Sequence, residues 1–124
     1  MKNRNLIITS ILGALAIILG AFGAHALKEK LDIDALKSFE TGVRYQMYHV
    51  IVLLFINTYS GFSSKTKNTI SWLFFIGILF FSGSIYAITA GGIDPKSIWF
   101  ITPLGGLLFI FGWLLMLINF NKKK

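Results

Sequence analysis

Thr41-Gly42-Val43-Arg44-Tyr45-Gln46-Met47-Tyr48-His49 runs straight into the apolar segment Val50 to Ile56, so ionisable and aromatic side chains enter an otherwise greasy helix. At about 100° per residue, Glu40, Thr41, Arg44, Tyr45, Tyr48 and His49 share one half of the circumference, and Val43, Met47 and Val50 occupy the other. Arg44 or His49 turned toward hydrocarbon would be costly. The polar half is therefore expected to face protein, water or head groups, which makes it the candidate functional surface.

The rest of the composition agrees with a bilayer setting. The chain has 124 residues, 55% hydrophobic and 14% charged, where soluble domains average roughly 45–50% and 25%. Its mean hydropathy is +0.71. No linker, low-complexity stretch or fixed-period repeat divides it, so residues 1–124 read as one membrane domain. The absence of cysteine removes disulfides, thiolate metal sites and thiol nucleophiles. The net charge of +7 is assigned to membrane anchors rather than to nucleic acid.

Four spans are expected, over about residues 6–27, 43–59, 69–90 and 98–120, giving an all-α four-transmembrane-helix bundle. Leu6 to Leu27 supplies 22 mostly apolar residues, about 33 Å of helix. Ala24-His25-Ala26 after a basic tip imitates a signal-peptide cleavage site. The apolar run exceeds the roughly 7–15 residues of a signal core, so a retained span is expected. Within it Ala16, Gly20 and Ala24 recur every four residues, with Gly13 and Gly23 beside them, a surface on which another helix can lie close.

Lys28 to Gly42 is the charged connection. Asp32 or Asp34 can cap a helix with Leu36, Phe39 and Val43 on one face, a short amphipathic interfacial helix before the second span. That span is short, so the interfacial turns should continue it as one long helix, with Gly42 as the place for a kink. Ser60 to Asn68 has turn composition, and Asn68 or Thr69 can cap the third span, which carries Trp72 near its start and the small residues Ser82-Gly83-Ser84. Gly91-Gly92 stops it, and Asp94-Pro95 reads as an N-cap and first helical position. The fourth helix either starts at Pro95 and kinks at Pro103, or follows a short turn bearing Trp99 and starts at Pro103; the second is favoured. Gly105, Gly106 and Gly112 make close helix contacts there.

With four spans, Lys2, Arg4, Lys65, Lys67, Lys122, Lys123 and Lys124 share one side, and Lys28, Lys30, Lys37, Arg44, Lys96 and all five acids share the other. Counting Lys and Arg alone assigns both termini to the cytoplasm. His25, at the far end of the first span, can then neighbour Arg44 and His49. Glu40 with Arg44, and Tyr45 with His49, are spaced to pair. His25, Glu40, Arg44, Tyr45, Tyr48 and His49 thus form a candidate polar mouth. It can tie the first two helices together, which is favoured, or bind a lipid head group or small anion. Metal or haem ligation by His25 and His49 is disfavoured, since two histidines fall short of the usual ligand set. No serine has a base at a recognisable spacing and no glycines form a phosphate loop, so no catalytic residue, metal or cofactor is assigned.

Gly20 to Leu27 (G-A-F-G-A-H-A-L), Thr41 to His49, Ser82 to Tyr86 (S-G-S-I-Y) and Ile101 to Gly106 (I-T-P-L-G-G) resemble the domain-of-unknown-function 423 family. These are small four-span membrane proteins that include bacterial YgdD-like proteins and the eukaryotic transmembrane protein 256. The resemblance implies a bacterial plasma-membrane protein of the same architecture and brings no activity, catalytic residue or cofactor with it. It places emphasis on His25, Arg44, Tyr45, His49, Ser82, Gly83, Thr102, Pro103 and Gly105. The resulting expectation is a non-enzymatic structural or accessory component of the lipid bilayer, as a homo-oligomer or within a larger complex. The alternative is a carrier or binding protein for an anionic lipid head group or small anion, using Arg44.

Overall fold

The structure, a computed structural model, describes residues 3–122 and consists of four α-helices: α1 (Arg4–His25), α2 (Ile33–Thr58), α3 (Ser64–Thr89) and α4 (Ile101–Lys122), with a 3-10 turn at Pro95–Ser97 before α4. Lys2, Lys123 and Lys124, counted in the charge comparison, lie outside the described residues. α1, α3 and α4 are long and apolar enough to cross a membrane. α2 equals α3 in length, but its first half holds the charged and aromatic run.

Asp32 caps α2, its carboxylate accepting the Ala35 N–H at 2.8 Å. No separate interfacial helix precedes the second long helix: residues 28–31 are turns and bends, and α2 continues unbroken through Gly42. A Cβ at Gly42 would stand 3.0 Å from the Tyr86 ring, so the glycine marks where α3 comes close. The buried residues Phe39, Gly42, Gln46, His49, Leu53 and Ile56 alternate spacings of three and four, the pattern of a helix packing along a narrow seam. This corrects the division into a polar and a greasy half. The seam runs across that boundary, taking His49 and Gln46 inward and leaving Arg44 and Tyr48 on the opposite, exposed side.

α3 begins earlier than position 69, because the Ser63 hydroxyl accepts the Thr66 N–H at 3.1 Å and starts the helix at Ser64. Asn68 and Thr69 therefore stand inside it rather than at its cap. Past Thr89 the chain turns at Gly92, whose φ of +73° suits glycine. The Asp94 carboxylate accepts the Lys96 N–H at 3.0 Å, capping the 3-10 turn that Pro95 opens. α4 restarts at Ile101, so Pro103 falls in its first turn, where a missing N–H leaves no helical bond unmade.

Neighbouring helices run antiparallel in a regular register. Gly13 faces Val50 and Gly20 faces Val43, a seven-residue advance along α1 matched by a seven-residue retreat along α2, and Gly23 lies on Phe39. Ala16 is buried in this interface, whereas Ala24 points outward and Gly23 takes its place. Between α3 and α4 three glycines receive a phenylalanine or the backbone beside one: Gly105 against Phe80 and Phe81, Gly77 against Phe109, Gly112 against Phe74. Gly106 has only the Phe81 ring at 3.9 Å, and the nearest atoms to Gly83 belong to Leu79 and Ile78 of its own helix, so neither sits at a tight crossing. Leu53, Ile56, Ile70, Phe74, Ile78, Phe109 and Met116 form the apolar core, with Ile8 and Leu12 of α1 laid against it.

This topology separates the charges. Among the described residues one end of the bundle carries Arg4, Lys65, Lys67 and Lys122 without an acid, and the other carries all five acids, Glu29, Asp32, Asp34, Glu40 and Asp94, together with Lys28, Lys30, Lys37, Arg44 and Lys96.

Candidate functional site

The polar side chains inside the bundle fall into layers, each joining two or three helices. Gln46 joins three helices. It is 2% exposed, its Nε2 donates to the Leu12 carbonyl of α1 at 2.7 Å, and its Oε1 accepts the Tyr86 hydroxyl of α3 at 2.7 Å. One residue of α2 thereby holds both flanking helices. One turn nearer the acidic end, Ser82 donates to the Gly42 carbonyl at 2.6 Å, a bond possible because glycine lets the two backbones approach. Ser84 and Thr102 share a hydrogen bond that fastens α3 to the start of α4.

His49 lies one helical turn from Gln46 toward the basic end, stacked on Phe109 with centroids 3.7 Å apart and met edge-on by Phe74. Its Nδ1 stands 2.7 Å from the Tyr45 carbonyl, which can only accept, and its Nε2 lies 3.1 Å from the Trp113 indole N–H, which can only donate. The ring is therefore the neutral tautomer with the proton on Nδ1. Both ring nitrogens are engaged in hydrogen bonds with the protein.

The residues expected to form a mouth are not gathered. His25 ends α1 at the exposed surface, while His49 is buried well along α2. Glu40 and Arg44 do not pair; the Arg44 guanidinium donates to the Thr41 hydroxyl at 3.1 Å, one turn back, where a helical side chain naturally leans. Tyr45 does not pair with His49 through its side chain either. Its carbonyl does so, and its ring packs on Tyr48 and Phe81, with centroids at 5.6 and 5.1 Å. Arg44, Tyr45 and Tyr48 remain an exposed strip on the outside of α2.

A second polar group, at the basic end, was not singled out from the sequence. Asn5 Nδ2 donates to Asn57 Oδ1 at 3.0 Å and Asn68 Oδ1 at 2.8 Å, and Asn57 Nδ2 donates to the Ser71 hydroxyl at 2.8 Å, which joins α1, α2 and α3. The missed signal was the same 3-4 spacing: Asn5, Thr9, Leu12 and Ala16 stand on one stripe of α1.

A bundle of apolar helices whose interior polar groups bond to one another across the interfaces is a multi-pass α-helical membrane protein. The chain belongs to the family described as "Protein of unknown function (DUF423)", whose model matches residues 19–106, a range that holds all four motifs quoted above. It is 48% identical over 116 residues to a UPF0382 membrane protein of Staphylococcus saprophyticus, covering 90% of this chain and 95% of that one. A UPF0382 membrane protein of Haemophilus influenzae is 40% identical over 126 residues, with 100% and 98% coverage. The UPF0382 membrane protein YwdK of Bacillus subtilis is 40% identical over 117 residues, with 91% and 92% coverage. No solved structure matches the chain.

Proposed function

We propose that this protein is a non-enzymatic structural or accessory component of the bacterial plasma membrane, with four spans and both termini in the cytoplasm. The observation that carries the reading is the Gln46 layer, in which the most buried amide of α2 is consumed in holding α1 and α3. What supports α2 as a fourth span is its pairing. It lies antiparallel along α1 from Gly13 to Gly23, so a membrane that α1 crosses is one that α2 crosses beside it. Its polar residues Gln46 and His49 are satisfied against protein, which lowers the cost of that crossing. The apolar core between the Gln46 layer and the asparagine group argues for a sealed interior rather than a permeation path. The four motifs also support relating the chain to the eukaryotic transmembrane protein 256.

The alternative, head-group contact at Arg44, fits its exposed position beside Tyr45 and Tyr48, where arginine can reach the interface and tyrosines sit well. Native mass spectrometry from gently solubilised membranes tests the choice. A stoichiometric protein partner or second copy is expected, and a monomer that retains one small molecule per chain would overturn the accessory reading.

A further inference from the structure

α1 and α3 run parallel and meet at the basic end, where Asn5 donates to Asn68 at 2.8 Å. Farther along, Gln46 of α2 stands between them, and an apolar groove of about 380 Å³ opens over it. Ile8, Leu12, Leu15 and Leu19 form one wall, spaced to lie on a single stripe of α1. Phe75, Leu79, Gly83 and Tyr86 form the other, on a matching stripe of α3. The floor asks for no polar ligand, because Gln46 donates to the Leu12 carbonyl and accepts from the Tyr86 hydroxyl. Both stripes continue past the groove, with Arg4 one turn before Ile8 and Trp72 one turn before Phe75. The Arg4 guanidinium stands 5.8 Å from the centre of the Trp72 ring, and that ring meets Phe75 edge-on at 5.3 Å. A held positive charge therefore tops the basic end of the groove, in line with its walls.

Dimensions and charge name the occupant. From Ile8 to Leu19 the groove is about 16 Å long at ~1.5 Å per residue, close to the ~15 Å depth of one leaflet's hydrocarbon. Dividing its volume by that length leaves a cross-section of roughly 25 Å², against roughly 80 Å² for a helix about 10 Å across. A single hydrocarbon chain fits and a further helix does not. Gly83 agrees with such an occupant: a Cβ there would meet only atoms of its own helix, so the glycine serves no helix contact and leaves width in the groove. At the basic end an aromatic ring neutralises no charge, so the Arg4 fork stays available to a phosphate. Lys65, Lys67 and Lys122 share that end, and no acid stands there among the described residues. We propose that the groove between α1 and α3 holds one acyl chain of an anionic phospholipid from the leaflet at the basic end, with the lipid phosphate on Arg4. The site stands apart from the accessory role and from Arg44, which lies toward the other end.

Native mass spectrometry of the full-length protein, delipidated in detergent and titrated with phosphatidylglycerol or phosphatidylcholine of equal chains, provides the test. One phosphatidylglycerol per chain is expected, bound about fivefold more tightly than phosphatidylcholine, the preference that one arginine gives an anionic head group. Arg4→Gln should abolish that preference, and Lys122→Gln, a charge at the same end on α4, should preserve it. Gly83→Leu fills the groove from α3 without striking another helix. It should weaken both lipids about tenfold, since the chain loses contact with two or more methylenes' worth of wall. Leu15→Trp fills the groove from α1 and gives the same reading if the glycine variant fails to fold, which melting temperatures without added lipid reveal. Phosphatidylglycerol binding that is unchanged by groove filling, or equal losses from Arg4→Gln and Lys122→Gln, would overturn the proposal. So would a dimer of the chain that Gly83→Leu disperses, because the groove would then belong to a second copy.

Discussion

At the residue scale, Gln46 rather than Arg44 carries the weight of the Thr41 to His49 stretch. Gln46→Leu keeps the volume roughly and strands the Tyr86 hydroxyl, which is partly buried against Phe39. A loss of about 1–3 kcal/mol is expected in detergent unfolding. Adding Tyr86→Phe should recover part of it, since the hydroxyl left without a partner is then gone; purely additive losses would show that the two do not interact. Arg44 behaves in the opposite way. It is exposed and, among the described residues, its side chain bonds to Thr41 alone, so Arg44→Gln should change stability by no more than about 0.5 kcal/mol. Glu40→Gln should add to it without coupling. A large loss rescued by Glu40→Gln would restore the ion pair that the spacing alone suggested.

At the element scale, packing is decided by which glycine lies on a seam. Gly105→Leu drives a side chain into the α3 backbone at Phe80 and Phe81, an overpacking change that costs about 1–3 kcal/mol or more. Gly106→Leu, one position round the helix, meets only the edge of Phe81. Comparing melting temperatures of the two variants checks the register, and equal losses would refute it. The sequence exposed much of this architecture: the apolar lengths, an aspartate cap for α2 at Asp32 or Asp34 (Asp32 in the structure), the Asp94 cap, and Pro103 near the start of α4 were legible because each depends on local chemistry. The inward face of α2 was misjudged because the residues were sorted by polarity into half-circles. A narrow seam admits polar residues that find partners, and Gln46 and His49 qualify through groups on α1, α3 and α4 that lie far away in the chain. The start of α3 was misplaced because Lys65 and Lys67 suggested a loop, whereas Ser63 is a sufficient cap to begin a helix through them.

At the scale of the whole molecule, the account stands on α2 crossing the membrane alongside α1 even though its own composition is too polar to announce it. The connection between α1 and α2 and the connection between α2 and α3 must then lie on opposite faces of the bilayer. The chain contains no cysteine, so single substitutions can be labelled without background. Glu29→Cys and Ser60→Cys, both at exposed positions flanking α2, can be treated in intact cells with a membrane-impermeant maleimide and again after permeabilisation. Glu29→Cys should label in intact cells and Ser60→Cys only once the membrane is opened, the order that follows from placing both termini in the cytoplasm. Labelling of both positions from the same side would contradict the fold's arrangement in the membrane.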